Sequence, residues 1–377
     1  MNFDIDDSIK ILCDKIRSFY QEPSDTAGVR FHPSEALETR NGLLKNLKSL
    51  SGLGYFDMGI EDGRNSIALA RARETMACLS PSLFLSVEMS TRIFGALIAL
   101  YGSSEQKEEI LPALKGGTLI GAVGLTETGM SLENMAMETT GRAMEESITL
   151  SGEKPYVLNG PVADLIAVAG KYEAENPGVG FFLVDRASAG LLIGPRISTV
   201  GFEGTALSSI TLNDCQLSPK SLMGPFEGNE VFTKLRNWED QVLTTAALGL
   251  MRRSYESALK YAREHESGGK PIIAYQEIAF KLAEMLTLLQ TSQLLAYRAA
   301  WMDETGDREA DVLARCAKVF CSESAQDVTN QAMQILGIHG YCSHNRVEEA
   351  YRDVRYLQVS GTSSEISRMK IADWIMH

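Results

Sequence analysis

Apolar residues recur three and four positions apart at Ile5, Ile9, Leu12, Ile16 and Phe19, the spacing that lines one face of a helix over residues 5–21. A second helical pattern covers 36–50, and three more helices are expected between about 64 and 114. One of them, SPSLFLSVEMSTRIFGALIALYG, carries apolar residues on several faces and belongs in a buried position. Near Thr118 the texture changes. LIGAVGL, ITLSG, YVLNG, LIAVAG, VGFFLVD, LLIGPRI and ITLNDCQL follow one another, each bounded by Gly, Asp, Asn or Pro, which predicts an antiparallel sandwich or barrel. After GPFEGNE the pattern is helical again over 228–265, 271–304, 308–337 and 363–376, with Pro271 suited to a first helical turn. The wide apolar face of 274–300 predicts a helical bundle packed against another subunit. The expected fold is α+β and multidomain: an N-terminal helical domain (1–117), a central antiparallel β domain (118–224) and a C-terminal four-helix bundle (225–377).

Composition narrows the function classes. A chain of 377 residues with 44% hydrophobic residues suits two or three globular domains. No apolar run approaches the roughly 20 residues that cross a bilayer, and the acidic start MNFDIDDSIK is unlike a secretory signal. The expected location is cytoplasmic, with no membrane span. A net charge of −13 argues against nucleic acid, which needs clustered Lys and Arg. The six cysteines, at 13, 78, 215, 316, 321 and 342, form no CxxC pair and have no His at ligand spacing. Free packed thiols and no metal site are expected, Cys316 and Cys321 included. His339 and His344 fall in an expected loop and read as structural or solvated.

One acid stands out within VFTKLRNWEDQVLTTAALGLMRRSYESALKYA. Glu239 shares a helical face with Leu235, Val242, Leu243 and Ala246. Two readings are open: an ion pair with Arg236 one turn back, or a general base facing a substrate.

Several words in order along the chain resemble the acyl-CoA dehydrogenase family: GSSEQKEEILPALKGG, GLTETGMSLE, SGEKPYVLNG, GFEGTALSSITLNDCQL, YAREHESGGKPIIAYQ, QILGIHGY and YRDVRYLQVSGTSSEISR. The resemblance covers essentially the full chain. It implies a homotetramer or dimer of dimers, FAD at a subunit interface, and an acyl thioester carried on CoA or an acyl carrier protein. In that chemistry a carboxylate removes the proton α to the thioester carbonyl while hydride leaves the β carbon for flavin.

The resemblance also bears on the base. Most of the family carries a Glu shortly after the Arg-Asp word. Counted from Arg352-Asp353, that position is Gly361, or Ser360 with a shift of one, and neither is an acid. A branch resembling isovaleryl-CoA and long-chain acyl-CoA dehydrogenases takes its base from the long helix instead, and counting back from Leu248-Gly249-Leu250 that position is Glu239. Glu365 is the competing acid, in a register that suggests a flavin-side or structural role. Gly361 and Leu132 match substrate-side positions.

The implied flavin contacts are altered. They map onto Thr126, Tyr156, Leu158, His265, Ser267, Gln276, Gln334, Gly337, Ser363 and Glu365. His265 replaces a phosphate-binding Arg, Gly268 an aromatic, Ile338 a Gly, Leu132 a small hydroxyl, Tyr156 a Trp and Leu158 a hydroxyl. Three functions follow as alternatives: a flavin-dependent dehydrogenase; a flavin-free thioester proton-transfer or elimination catalyst, or a non-catalytic subunit paired with a related chain; and a flavin monooxygenase on the same fold.

Overall fold

The computed structural model describes residues 7–21, 36–60, 66–129, 137–343 and 345–376. Leu132 and His344 lie outside them.

The N-terminal part is helical: α1 (Asp7–Gln21), α2 (Ala36–Gly52), α3 (Ile67–Leu79), α4 (Pro81–Glu88) continuing through a π-helical turn, Met89–Ile93, into α5 (Phe94–Tyr101), and α6 (Ser104–Lys115). Ser66 caps α3 by accepting from Leu69 N–H at 3.1 Å, and Ser103 with Gln106 forms a capping box on α6. Contrary to the hydropathy expectation, the continuous stretch Pro81–Tyr101 is long and apolar enough to cross a membrane by length and composition, yet most of it is buried inside the protein. Its middle carries a buried polar network that explains why. Glu88 binds Arg73 at 2.6 Å, Arg92 at 2.8 Å and the Tyr55 hydroxyl at 2.8 Å, and Arg92 also donates to the Tyr55 carbonyl at 2.6 Å. Charges satisfied this completely belong to a protein core.

The strands follow: β1 (Gly121–Gly124), β2 (Thr140–Ala143), β3 (Ile148–Leu158), β4 (Leu165–Glu173), β5 (Gly178–Asp185), β6 (Leu191–Arg196), β7 (Leu207–Leu217) and β8 (Leu222–Phe226). They form one sheet in the order β6-β7-β3-β2-β4-β5-β8. Most pairings are antiparallel, as expected, but β1 and β2 both run parallel to β4. They lie end to end along it, against 165–168 and 171–173.

The C-terminal part is α7 (Glu230–Glu264), a two-stranded hairpin β9 (Glu266–Ser267) and β10 (Lys270–Pro271), α8 (Gln276–Thr305), α9 (Ala310–Leu336), the short α10 (Ile338–Tyr341), α11 (Arg346–Val359) and α12 (Ser364–Met376). Two expectations are corrected here. Pro271 sits in the hairpin ahead of α8, because that strand leaves its nitrogen without a required donor role. α11, absent from the predicted helices, completes the bundle with α7, α8 and α9 and buries Val347, Ala350, Val354 and Leu357. Mid-helix Gly249 lets α7 cross α3 closely: a Cβ there would meet Ala77 Cβ at 2.5 Å. Glu74 on α3 ties that helix to both α7 and α8, accepting from Arg252 at 2.6 Å and from Gln293 at 2.7 Å.

Candidate active site

On α7 the predicted stripe is real: Leu235, Val242, Leu243 and Ala246 are buried. Glu239 lies beside it with its side chain 13% exposed, and the expected ion pair forms, Arg236 Nη1 standing 2.7 Å from Oε2. Arg236 does more than pair. Its Nη2 donates to Thr126 Oγ1, in the loop after β1, at 3.0 Å. On the other side Ser360 Oγ, in the loop between α11 and α12, donates to Glu239 Oε1 at 3.3 Å. A continuous chain Thr126–Arg236–Glu239–Ser360 therefore joins the sheet, the long helix and the C-terminal loop. Tyr356 sits against it, and burial, helped by the charge of Glu239, pushes its phenol up to about 12. A small cleft lined by Gly59, Arg73, Arg92, Trp238 and Gln241 opens on a neighbouring face of α7 and involves none of these groups.

Gly361, next to Ser360, adopts φ 65°, a left-handed conformation costly for other residues. A Cβ there would run into Asp240 Oδ1 and come within 3.1 Å of Leu243 Cδ1. The absence of an acid at this position thus has a local cause as well as a sequence one.

The loop carrying Thr126 is stapled by a buried pair. Lys154 on β3 has a fully buried side chain, forms an ion pair with Glu127, and also donates to the Leu125 carbonyl at 3.3 Å. Glu127 accepts in addition from Thr139 N–H at 3.2 Å and from Glu138 N–H. Burial alone would raise Glu127, but the Glu138 N–H and Lys154 bonds hold it below the ordinary carboxylate value; burial pulls Lys154 down. A bulge between Lys154 and Val157 on β3 then resets the alternation. Val157 is buried, Leu158 is half-buried, and Tyr156 is turned out to 60% exposure.

The remaining predicted residues gather elsewhere. His265 caps the far end of α7, about 40 Å from Glu239 at the helical rise of ~1.5 Å per residue. Its ring stacks on Tyr261 at 4.7 Å, and His339, in the helical turn α10 and not in a loop, lies 6.0 Å from it. Ser267 and Gln276 are exposed nearby in sequence, the Ser267 carbonyl accepting from the Tyr275 hydroxyl at 2.8 Å. Gln334, exposed, and Gly337, at φ 56°, close α9. Ser363 accepts from Ile366 N–H at 3.4 Å at the start of α12. Glu365 is exposed there, held below the ordinary value by a backbone bond and by Ser363. The predicted set therefore splits in two: Thr126, Glu239 and Gly361 come together, while His265, Ser267, Gln276, Gln334 and Gly337 belong to the other end of the bundle. Among the described residues no cluster of three or more His, Cys, Asp or Glu is arranged to hold a metal, and all six cysteines are free thiols.

Sequence reasoning missed Asp240 and Lys318, both buried beside this site. The available signals were an acid adjoining Glu239 and a lysine inside the apolar run ARCAKVFCS.

A helical part, a mostly antiparallel sheet and a helical bundle, with a carboxylate held where the sheet, the long helix and the C-terminal loop meet, form the setting for oxidoreductase chemistry on CH–CH bonds, the class its relatives define. Residues 122–215 match the family model for the acyl-CoA dehydrogenase middle domain and 227–376 that for the acyl-CoA dehydrogenase C-terminal domain, and the chain belongs to the acyl-CoA dehydrogenase family. It is 33% identical to the 3-(aryl)acrylate reductase of Clostridium sporogenes over 336 residues, 86% of this chain and 88% of the relative. It is 30% identical to the benzylmalonyl-CoA dehydrogenase of Aromatoleum aromaticum over 99% of both chains. Among solved structures, the prolyl acyl carrier protein oxidase AnaB superposes with a TM-score of 0.87 at 26% identity, covering 99% of this chain and 100% of that one.

Proposed function

We propose that the protein catalyses α,β-dehydrogenation of an acyl thioester, with Glu239 removing the α proton. The observation that carries this reading is the Thr126–Arg236–Glu239–Ser360 chain, which presents a carboxylate between helix and sheet, in a loop environment that leaves no room for an acid at 361. Arg236 and Ser360 each hold one carboxylate oxygen, fixing the group's orientation before a substrate arrives. Glu239 takes the proton at one of these oxygens, and burial keeps competing water away from it. The thioester carrier is CoA or an acyl carrier protein, both represented by name among the relatives.

The residues present fit FAD. The exposed Tyr156 ring, Leu158 beside it and the Thr126 hydroxyl offer a flat apolar surface with one polar contact near the base. His265, Ser267, Gln276, Gln334 and Gly337 offer hydrogen-bonding groups and open backbone, nothing lying within 4 Å of where a Gly337 Cβ would stand. When bound, FAD supplies the acceptor for the β-carbon hydride. Glu239 and His265 lie about 40 Å apart along α7, so we place the His265 end and the base-side contacts of one flavin on different chains. A second copy supplying the His265 end completes the site, and the protein works as a homo-oligomer, dimeric or tetrameric.

A flavin spectrum in the purified protein, bleached anaerobically by members of a panel of acyl-CoA thioesters, is the expected result. Colourless protein that takes up no added FAD would overturn the cofactor. It would instead favour the flavin-free reading, which the exposed His265, standing where the family resemblance implies an Arg, and the 71% exposed Ile338 support.

A further inference from the structure

The loop between α11 and α12 is held from two sides by buried charged side chains. Lys318 on α9 is 1% exposed and donates its ammonium to the Ser360 carbonyl at 3.2 Å and to the Thr362 carbonyl. Asp240 on α7 is 3% exposed and accepts from Thr362 N–H at 2.8 Å through Oδ1. Its Oδ2 accepts no hydrogen bond among the described residues. Gly361 passes between the two at φ 65°. Removing a carboxylate and an ammonium from water costs several kcal/mol per ion. A turn of three residues does not need such an investment to close, so the arrangement calls for a reason beyond closure.

That reason lies in what the loop carries. Ser360 Oγ reaches Glu239 Oε1 at 3.3 Å while its own carbonyl is held by Lys318, and Glu239 and Asp240 are consecutive on α7, so one turn of helix holds both the base and the anchor of its hydroxyl partner. The same Oδ1 that accepts from Thr362 occupies the space a Cβ at 361 would need.

We infer that Asp240 and Lys318 are positioning residues that lock the 360–362 backbone, setting Ser360 on Glu239 and shutting side chains out of position 361, so that base function is confined to α7. The inference rests on the reading of Glu239 as base. Asp240 and Lys318 act through the loop and touch no reacting atom.

The test uses the enzyme as purified and reads exchange of the acyl α-hydrogens of saturated acyl-CoA thioesters in D2O by mass spectrometry, which needs no electron acceptor, alongside kcat and KM. Glu239→Gln alone should abolish exchange; wild-type exchange in that variant sinks the base reading and leaves the loop question separate. Asp240→Ala/Lys318→Met, which leaves no unpaired buried charge, should lower kcat at least tenfold with KM changed less than threefold. Asp240→Asn, which keeps an acceptor for Thr362 N–H, should recover most of that loss. Glu239→Gln/Gly361→Glu should remain inert, while adding Asp240→Ala to it should restore exchange at least tenfold, because the blocking oxygen is gone. The proposal is overturned if the double Asp240/Lys318 variant folds with wild-type kcat, or if Glu239→Gln/Gly361→Glu exchanges equally well with Asp240 in place. Circular dichroism and melting temperature accompany each variant, and a variant that does not fold is replaced by Asp240→Asn against Asp240→Ser, whose equal kcat would also overturn it.

Discussion

Arg236 Nη1 stands 2.7 Å from Glu239 Oε2, and both side chains are about seven-eighths buried, at 15% and 13% exposure. The ion pair and the proposed general base are therefore compatible in one arrangement and not rival explanations, since the guanidinium also binds Thr126 and ties the carboxylate to the sheet. A positioned general base contributes roughly 10²–10⁴-fold to rate. Glu239→Gln keeps the shape and a hydrogen-bond acceptor for Ser360 but removes the proton acceptor. It should slow anaerobic substrate-driven bleaching by about 10²–10⁴-fold with the flavin spectrum retained. Bleaching at the wild-type rate would show that the base lies elsewhere.

Asp353 yields a prediction in pH. It accepts from Phe202 N–H and sits beside Arg253 and Arg352, yet burial dominates and pushes its carboxyl up to about 7. An acid raised in the folded state favours folding while protonated. Its contribution is present below the ordinary value near 3.8 and is lost as pH rises through about 7. Between those limits thermal stability should decline more steeply in the wild type than in Asp353→Asn, which removes the titration. Parallel melting curves across that window would refute the assignment. Asp240, raised by burial to about 6, works in the same direction.

The Glu127–Lys154 pair tests how the Thr126 loop is held. Removing one member of a buried pair strands the other charge and typically costs about 3–5 kcal/mol, whereas replacing both with apolar residues can be close to neutral. Lys154→Met should therefore lower the melting temperature by several degrees and weaken flavin retention, because Glu127 then faces only the Glu138 and Thr139 amides. Glu127→Leu/Lys154→Met should recover most of the melting temperature but not the flavin, since the loop has lost its staple to β3. Additive losses in the double variant would contradict the pairing.

Much of this architecture was legible beforehand because periodicity reports burial directly. The α7 stripe and the strand texture after Thr118 correspond to buried faces, while the wide apolar face of α8 is divided between buried positions such as Leu282, Met285 and Leu289 and exposed ones such as Phe280 and Leu294. α11 escaped because its helical face is short and interrupted by Arg352, Asp353 and Arg355, whose partners, Glu203, Phe202 N–H and Gln326, lie far away in sequence. The site was half legible for the same reason. Glu239 could be placed by its offset from Leu248-Gly249-Leu250, but Ser360, Asp240 and Lys318 meet only through the fold, 42 residues separating Lys318 from Ser360. The outward turn of Tyr156 depends on a bulge that no alternation pattern announces.

The outer face of α8 carries the last prediction. Phe280 and Leu294 are 69% and 57% exposed and lie about four helical turns apart on one side. Thr287 and Thr291 fall between them, with hydroxyls turned back to the Ala283 and Thr287 carbonyls at 2.8 and 2.9 Å, so their methyl groups extend the apolar stripe. Burying a side chain such as Phe or Leu is worth about 1.5–3 kcal/mol, which makes this face suited to a second copy of the chain. Phe280→Glu and Leu294→Glu place charges on that stripe without touching the core. Native mass spectrometry should show the assembly reduced to a smaller species with its helical content kept. Flavin should be lost in step, because the His265 end of a second copy is then no longer brought to the Tyr156 face. An unchanged assembly mass in both variants would move the interface off α8, and a monomer that still holds flavin tightly would refute the shared site.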